Sequence, residues 1–275
     1  MKDSYQTTNY LVCTSERSGS GLLCNLLKNT GLAGTTISEI LHQDHSGTIS
    51  SVEELRGYLA QSYEMSRTAN GVSGCKVHWL HIERISKQIN ISTDEVISCF
   101  PKDIQYIYLK RNDPIKQAIS LYIAQRTGQW KKEVSDAKEV FDMTKIDFLQ
   151  IHLNVKLLCE ENNGWSNFFS KNKLVHQRVD YENLINDHQG IALGLLNFLK
   201  INYPANINIH TTLVKQADET SILIESRYRQ MSKIYLSLCL IPFFIDRKVG
   251  FWGIEIKKNW PNLYIILRKI KTFFK

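Results

Sequence analysis

Long apolar segments are missing from this chain of 275 residues. The longest apolar run, residues 234–245, is shorter than the roughly 20 residues that cross a bilayer. The amino-terminal residues lack the apolar core of a signal peptide. We therefore expect a cytoplasmic protein, whose contact with a membrane, if it has one, is peripheral.

The cysteines also lack the spacing of a functional pair. All six are scattered, with no C-x-x-C motif: Cys13, Cys24, Cys75, Cys99, Cys159 and Cys239. This distribution is not typical of a disulfide framework. We expect reduced, buried thiols, as in most cytoplasmic proteins.

Internal repeats and low-complexity linkers are absent, and acidic residues are outnumbered, so that the formal net charge is +7. The hydrophobic and charged fractions are ordinary for a globular protein. A basic surplus suits anionic ligands such as phosphate, sulfate, nucleic acid or acidic lipid. Charge alone does not choose among them.

Strand-like and helix-like segments alternate along most of the chain. The strand-like segments are residues 10–14, 74–80, 104–110 and 173–181. The helix-like segments are residues 22–31, 114–128 and 183–200, and the first two end at glycines. This alternation predicts an α/β fold with a central, mainly parallel sheet flanked by helices.

A small polar loop, S-E-R-S-G-S-G, joins the first predicted strand to the first predicted helix. The amino end of a helix offers unpaired N–H groups, and glycine lets the backbone approach a ligand closely. Arginine adds a planar set of donors that matches an oxyanion. The sequence therefore predicts a cradle for a phosphate or a similar group, formed by Arg17, Ser18, Gly19, Ser20 and Gly21.

A second arginine follows a different predicted strand. Arg111 lies just beyond residues 104–110, and Ser120 lies inside the helix predicted at 114–128. An arginine and a hydroxyl placed in this way can bind another anionic group. We expect Arg17 and Arg111 to grip two separate anions of one ligand.

Two other functions stay open on the residues alone. A nucleotide-dependent, kinase-like phosphotransferase would need the G-K-[ST] ending of a P-loop, which this loop lacks. The loop is not G-x-G-x-x-G either, and a plain strand-to-helix turn remains an alternative. A nucleic-acid-binding module would suit the charge, but no basic stripe interleaved with aromatics is visible, so we expect no nucleic-acid partner.

Residues 10–23 and 111–130, in this order, resemble the bacterial Stf0 sulfotransferases. Blocks at 71–79, 161–169 and 213–230 are similar to the same family. The resemblance implies a P-loop-like sulfotransferase fold that uses 3′-phosphoadenosine 5′-phosphosulfate (PAPS) as co-substrate. It implies that Arg17 and residues 18–21 hold the 5′-phosphosulfate, that Arg111 and Ser120 hold the 3′-phosphate, and that Lys215 closes over the nucleotide. Gly21 stands where the family usually has a threonine, so a hydroxyl donor is lost there.

The implied reaction is in-line transfer of a sulfuryl group to a hydroxyl of a carbohydrate or glycolipid. Arg17 and the loop amides would neutralise charge on the leaving group, so no metal is expected. A base must take the proton of the acceptor hydroxyl. The family's base is a glutamate, and Glu39 is the best match. His42 is the alternative, because its pKa suits neutral pH.

Two histidines and three tryptophans have further interpretations. His78 and His81 have the spacing of a metal-binding pair on a helix, but residues 76–79 look like a strand and no further ligand cluster accompanies them. We therefore predict no metal site. The tryptophans can stack on a sugar or on adenine, or pack in the core: Trp79, Trp130 and Trp165.

The pattern divides the chain into two parts. We predict a PAPS-dependent domain over residues 1–232 and a basic, aromatic extension over 233–275. The extension either packs on the domain or docks to a partner or to the inner face of a membrane. Residues 31–69 and 131–146 follow the two nucleotide motifs and are expected to line the acceptor side. The resemblance also implies a homodimer.

Overall fold

The computed structural model describes residues 7–35, 37–42, 47–130, 146–211 and 219–245, with side chains described as far as residue 232. Its sheet has four strands, β1 (Thr8–Thr14), β2 (Val72–His78), β3 (Gln105–Lys110) and β4 (His176–Asp180). They lie in the order β2-β1-β3-β4, and every neighbouring pair is parallel. The predicted parallel sheet is confirmed.

The described residues form nine α-helices around this sheet. They are α1 (Ser20–Asn29), α2 (Val52–Met65), α3 (Trp79–Gln88), α4 (Thr93–Ser98), α5 (Pro114–Thr127), α6 (Phe148–Asn172), α7 (Tyr181–Asn186), α8 (His188–Phe198) and α9 (Glu219–Ile245). In the order of the chain, α1 follows β1, α3 follows β2 directly, and α5 and α6 lie between β3 and β4.

Successive side chains of β1 point to opposite faces of the sheet and enter two separate hydrophobic cores. Leu11 belongs to a core that also contains Trp165 of α6. Val12 belongs to the other core, together with Leu23 of α1 and Leu195 of α8. Helices therefore cover both faces, as predicted for an α/β fold.

Glycine and proline mark the helix ends as expected. Pro114 is the first residue of α5, behind an Asp113 cap that accepts the N–H of Ile115, and Gly128 ends the helix with a φ of 74°. Gly31 follows α1 with a φ of 68°. Both glycines have the left-handed conformation that closes many helices.

Two predicted elements were wrong at their boundaries. The helix predicted at 183–200 is two helices, because the Asp187 side chain accepts the N–H of Gly190 at 2.7 Å and caps a new helix. The strand predicted at 74–80 ends at His78, and Trp79 begins α3. The second correction brings His78 and His81 into one turn of chain beside the sheet edge.

The cysteine prediction is confirmed for the described side chains. Cys13, Cys24, Cys75 and Cys99 are buried and Cys159 is half-buried, all as free thiols. Across the described part of the chain, no helix combines the length and apolar character needed to cross a bilayer.

Contacts divide the chain into two compact units, the first ending at Ile222 and the second beginning at Leu223. The boundary predicted between residues 232 and 233 falls inside α9 and stays a prediction. Most of the predicted extension, from residue 246 onward, lies outside the described residues.

Candidate functional site

The loop between β1 and α1 is held in an unusual backbone conformation. Arg17 has a φ of 58° and Gly19 a φ of 90°. The first is costly for a residue with a side chain, and such strain is concentrated at functional sites. A Cβ atom on Gly19 would lie 2.5 Å from the Tyr181 ring, so glycine is required there for space as well as for conformation.

The structure brings the two predicted anion-binding segments together. Nε of Arg17 donates a hydrogen bond to the hydroxyl of Ser120 at 3.1 Å. Nη1 of Arg111 donates to the backbone carbonyl of Arg17 at 3.4 Å. β1 and β3 are parallel neighbours, so their carboxyl ends meet at one edge of the sheet. Arg17, Arg111 and Ser120 therefore occupy one neighbourhood.

Tyr181 supports both parts of this neighbourhood. It is the first residue of α7, directly after β4, and its ring packs against Gly19. The guanidinium carbon of Arg111 lies 4.6 Å from the centre of the same ring, within cation–π distance. The sequence analysis missed Tyr181, because it assigned this residue to the end of the strand predicted at 173–181, whereas β4 ends at Asp180.

Charge is concentrated around the two arginines. Burial lowers the pKa of Arg17, and the positive charge of Arg111 lowers it further, against the opposing effect of Glu16. Both guanidinium groups stay protonated at any physiological pH, so the two like charges repel one another. An anionic ligand would relieve this repulsion.

A buried polar network fixes the end of β1. The side-chain amide of Gln117 donates to the Ser15 hydroxyl at 2.9 Å, and that hydroxyl donates to the amide oxygen of Asn162 at 3.2 Å. Nε1 of Trp165 donates to the Thr14 carbonyl at 2.9 Å. The polar residues come from α5 and α6, so the loop is anchored by helices distant in sequence. Sequence reasoning missed this network.

The remaining small residues of the predicted cradle, Ser18, Ser20 and Gly21, differ in accessibility. The Ser18 hydroxyl is buried and hydrogen-bonded to the hydroxyl of Thr14, which itself donates to the Leu109 carbonyl at 3.0 Å. Ser20 is the first residue of α1 and is buried. Gly21 is the second, and no heavy atom lies within 4 Å of the place a Cβ atom would take. A side chain can therefore be added at Gly21.

Several predicted residues lie elsewhere or outside the described part. Lys215 and residues 131–145 fall outside the described residues. Trp79 and Trp165 are buried in one core, where their rings meet edge to face. Trp130 is half exposed, and its carbonyl accepts a hydrogen bond from Arg17.

Glu39 lies next to β2, the outermost strand on the other side of β1, whose carboxyl end neighbours that of β1. The N–H of Ile40 donates to the Lys76 carbonyl at 2.8 Å, and the N–H of Lys76 donates to the Ser38 carbonyl at 2.9 Å. The segment around Glu39 therefore adds a short parallel bridge to β2. This pairing fixes the direction of the Glu39 side chain.

Three nitrogen-bearing side chains surround the Glu39 carboxylate. Nζ of Lys76 is 2.5 Å from Oε2, and Nε2 of His81 donates to Oε1 at 3.0 Å. Nδ1 of His78 lies 3.4 Å from the same Oε1. Burial alone would raise the pKa of Glu39, but the His81 hydrogen bond and the charge of Lys76 outweigh it and hold the pKa well below its usual range. The carboxylate is ionised at neutral pH and can accept a proton.

His42, the alternative base, lies in the same cluster. Its ring meets that of His81 edge to face, with centroids 5.4 Å apart. Burial raises the pKa of Glu16, and the charge of Glu39 raises it further. Glu16 therefore lies close to the same cluster. The predicted base and its alternative are therefore neighbours, and the sequence analysis missed Glu16.

Solved structures with a similar chain path are sulfotransferase domains, though the likeness is distant. The domain from the curacin biosynthetic pathway is 16% identical, covers 74% of this chain and 77% of that one, and has a TM-score of 0.45. The domain from the Synechococcus PCC 7002 olefin synthase is 14% identical, covers 82% and 96%, and has a TM-score of 0.45.

Curated proteins similar in sequence include two named trehalose 2-sulfotransferase. One, from Mycolicibacterium smegmatis, is 25% identical over 260 residues, which cover 81% of this chain and 95% of that protein. The other, from Mycobacterium tuberculosis, is 23% identical over 260 residues and covers 80% and 94%. The model of the Stf0 sulphotransferase family matches residues 9–231. With most of its length matched, this chain belongs to the Stf0 sulphotransferase family and is a sulfotransferase.

Proposed function

We propose that the protein transfers a sulfuryl group from PAPS to a hydroxyl of a carbohydrate. The observation that carries this proposal is the approach of Arg17, Ser120 and Arg111 at the carboxyl ends of two adjacent parallel strands. Two guanidinium groups that repel one another suit a ligand with two anionic ends. PAPS has a phosphosulfate at one end and a phosphate at the other.

Each end of the donor has its own residues. Arg17 and the backbone N–H groups of residues 18–21 bind the 5′-phosphosulfate at the amino end of α1. The Ser18 hydroxyl is engaged with Thr14, so Ser18 acts through its backbone. Arg111 and Ser120 bind the 3′-phosphate, and Lys215 closes over the nucleotide. Fixed guanidinium groups neutralise the charge that grows on the leaving phosphate, and the transfer itself needs no metal ion.

Glu39 acts as the base that accepts the proton of the acceptor hydroxyl. Its carboxylate is ionised, and its bridge to β2 and its ion pair with Lys76 fix its position. His42 is the alternative base in the same cluster.

The acceptor is proposed from the relatives. Both curated proteins carry the name trehalose 2-sulfotransferase, so a sugar hydroxyl is the first class to test. The test is incubation of the full chain with isotopically labelled PAPS and a panel that starts with trehalose and extends to bacterial glycans and glycolipids. Mass detection of an added sulfo group on a sugar supports the proposal. Turnover of PAPS only with non-sugar acceptors contradicts it.

A thermal-shift comparison tests the donor separately. A ligand that binds the folded state raises the melting temperature by mass action. We expect adenosine 3′,5′-bisphosphate to raise it more than magnesium-ATP or an oligonucleotide. Stabilisation by magnesium-ATP alone would favour a phosphotransferase, and stabilisation by the oligonucleotide alone would favour a nucleic-acid-binding protein.

The extension at residues 233–275 is proposed to bring the enzyme to a lipid-linked acceptor at the inner face of the membrane. Its lysines, arginines and aromatic residues are typical of a segment that binds an anionic surface. Truncation after Gly250 should then lower activity on an acceptor presented in anionic vesicles more than on a soluble sugar. Equal activity on both would remove this role. Light scattering of the full chain tests the homodimer implied by the family.

A further inference from the structure

Glu39, His78 and His81 form a cluster that the sulfuryl transfer does not fully use. They come from the segment that pairs with β2, from the last residue of β2 and from the first turn of α3. One oxygen or nitrogen atom from each lies within 4.8 Å of the others. The sequence analysis found His78 and His81 without a third ligand, and the fold brings Glu39 to them from a distant segment.

The imidazole groups of this cluster carry unused hydrogen-bonding atoms. Neither ring nitrogen of His78 has a hydrogen-bond partner among the described residues, and neither does Nδ1 of His81. His78 is only 5% exposed, so water does not reach it freely. Buried polar atoms without partners are rare in native proteins and often indicate a missing water or ion.

Both rings are placed to be ligands of one ion. His78 is buried, and a neutral imidazole has a lone pair to donate. The His78 and His81 rings stack with centroids 5.4 Å apart and planes 19° apart, which turns both toward Oε1 of Glu39. A neutral imidazole is the commonest metal ligand in proteins.

The Glu39 carboxylate presents its two oxygens to different partners. Lys76 lies on Oε2, whereas Oε1 faces the two imidazole rings. A metal ion between Oε1 and the rings would engage this oxygen and the unused Nδ1 of His78 together.

The two distances from Oε1 of Glu39 to the ring nitrogens are close to those between the ligands of a tetrahedral ion. With metal–ligand bonds of about 2.0–2.2 Å, the ligands of a zinc ion lie about 3.3–3.5 Å from one another. Oε1 of Glu39 is 3.4 Å from Nδ1 of His78 and 3.0 Å from Nε2 of His81. We propose that Glu39, His78 and His81 form a binding site for a divalent transition metal of the zinc type, with two imidazoles, one carboxylate oxygen and an open fourth position.

Occupancy of this site has a consequence that rests on the proposed function. A metal on Oε1 removes the lone pair with which Glu39 would accept a proton. Zinc is therefore an inhibitor of the transfer, and it lowers kcat while leaving the affinity for adenosine 3′,5′-bisphosphate unchanged. Arg17 and Arg111 lie outside the metal-binding set, so donor binding does not depend on the ion.

The test measures metal binding directly. The full chain, without a histidine tag, is stripped with a chelator and titrated with Zn²⁺ against a chromophoric competitor. We expect one tightly bound zinc ion in the wild type and a loss of affinity of about tenfold or more in His78→Ala, His81→Ala and Glu39→Gln. His210→Gln, at an exposed histidine, should bind zinc as the wild type does. Replacement of zinc by Co²⁺ should give the visible bands of a four-coordinate site.

Two results would overturn the proposal: no zinc bound at micromolar concentration, or equal affinity in the wild type and in the cluster variants. Glu39→Gln preserves the size of the side chain and decides the matter if the histidine variants do not fold, as judged by circular dichroism in chelator. Because binding is measured without PAPS or an acceptor, failure of the proposed sulfuryl transfer would not change this measurement.

Discussion

The two ends of the candidate site differ in chemistry although both lie at carboxyl ends of neighbouring strands. Beyond β1 and β3, Arg111 lies over the Tyr181 ring and donates a hydrogen bond to the backbone of Arg17. Beside β2, a carboxylate meets two imidazoles and an ammonium group. The first end attracts anions, and the second holds a negative charge ready for a proton or a cation. Under the proposed function this difference separates donor binding from acceptor activation, so we expect that each end can be damaged without the other.

Removal of either arginine should have the largest effect and should damage only the donor end. Arg17→Ala and Arg111→Ala are each expected to lower kcat/KM about 10³-fold. Arg17→Ala removes a charged donor to the negative charge that develops on the leaving phosphate, and Arg111→Ala removes the charged donor to the 3′-phosphate. Binding of adenosine 3′,5′-bisphosphate, measured by calorimetry, should weaken in both. Arg126→Ala, at an exposed position of the same helix as Ser120, is the matched control. Near-normal turnover in either variant would contradict the donor site.

Substitution of Glu39 should impair only the end of the site beside β2, so that catalysis is lowered and donor binding is not. Glu39→Gln removes the base while keeping the shape of the side chain, and we expect kcat to fall about 10²-fold. The affinity for adenosine 3′,5′-bisphosphate should stay the same, which distinguishes this variant from those of the arginines. If kcat is unchanged in Glu39→Gln but falls in His42→Ala, the base role belongs to His42.

The donor end could be predicted from sequence because its residues lie in two short motifs. The loop at residues 15–21 and the pair Arg111 and Ser120 each occupy a turn after a strand, and parallel pairing then brings the turns together. The parallel direction of the strands also follows from the alternation of elements.

The other end could not be predicted in full, because its residues are distant in sequence. Glu39, Lys76 and Glu161 meet only through a short bridge to β2 and the packing of α6. His78 was interpreted as a strand residue whose strand continued through Trp79, and a boundary error of two residues concealed its proximity to His81. Tyr181 carried no motif, since its role depends on a ring that contacts two separate loops.

The end of the site beside β2 can be tested through the pH dependence of the free energy of unfolding. Glu161 has a folded-state pKa of about 8 against an ordinary value of 4.5. Between these values the unfolded chain has lost the proton and the folded chain keeps it, so stability should fall as pH rises through this range. Glu161→Gln should remove that fall and stabilise the protein above about pH 8, by on the order of 2 kcal/mol. An unchanged pH profile of the melting temperature would contradict the burial of this carboxyl.

A smaller effect is expected at Tyr181, whose ring packs against Gly19 and lies under the Arg111 guanidinium group. Tyr181→Ala leaves a gap beside Gly19 and removes the ring under Arg111, so we expect about tenfold weaker binding of adenosine 3′,5′-bisphosphate. Tyr181→Phe keeps the ring and should bind nearly as the wild type does. Equal weakening in both variants would show that the hydroxyl, not the ring, is responsible.

The smallest effect is a gain at Gly21, which would sharpen the contrast by strengthening the donor end alone. The family usually has threonine here, and the space around the missing Cβ is open. Gly21→Thr should add a hydroxyl donor worth about 1 kcal/mol, which is roughly a fivefold gain in affinity for adenosine 3′,5′-bisphosphate. Calorimetry measures this gain.

Gly21→Ala separates the hydroxyl from the backbone effect of losing a glycine in a helix. Alanine should raise the melting temperature, because it reduces the conformational freedom of the unfolded chain, and it should leave the affinity unchanged. Gly57→Thr, at a position of α2 that is equally open, controls for threonine in a helix. If Gly21→Thr and Gly21→Ala bind the bisphosphate equally well, this helix position does not face the donor, and the phosphosulfate must lie closer to Arg17 than to the first turn of α1.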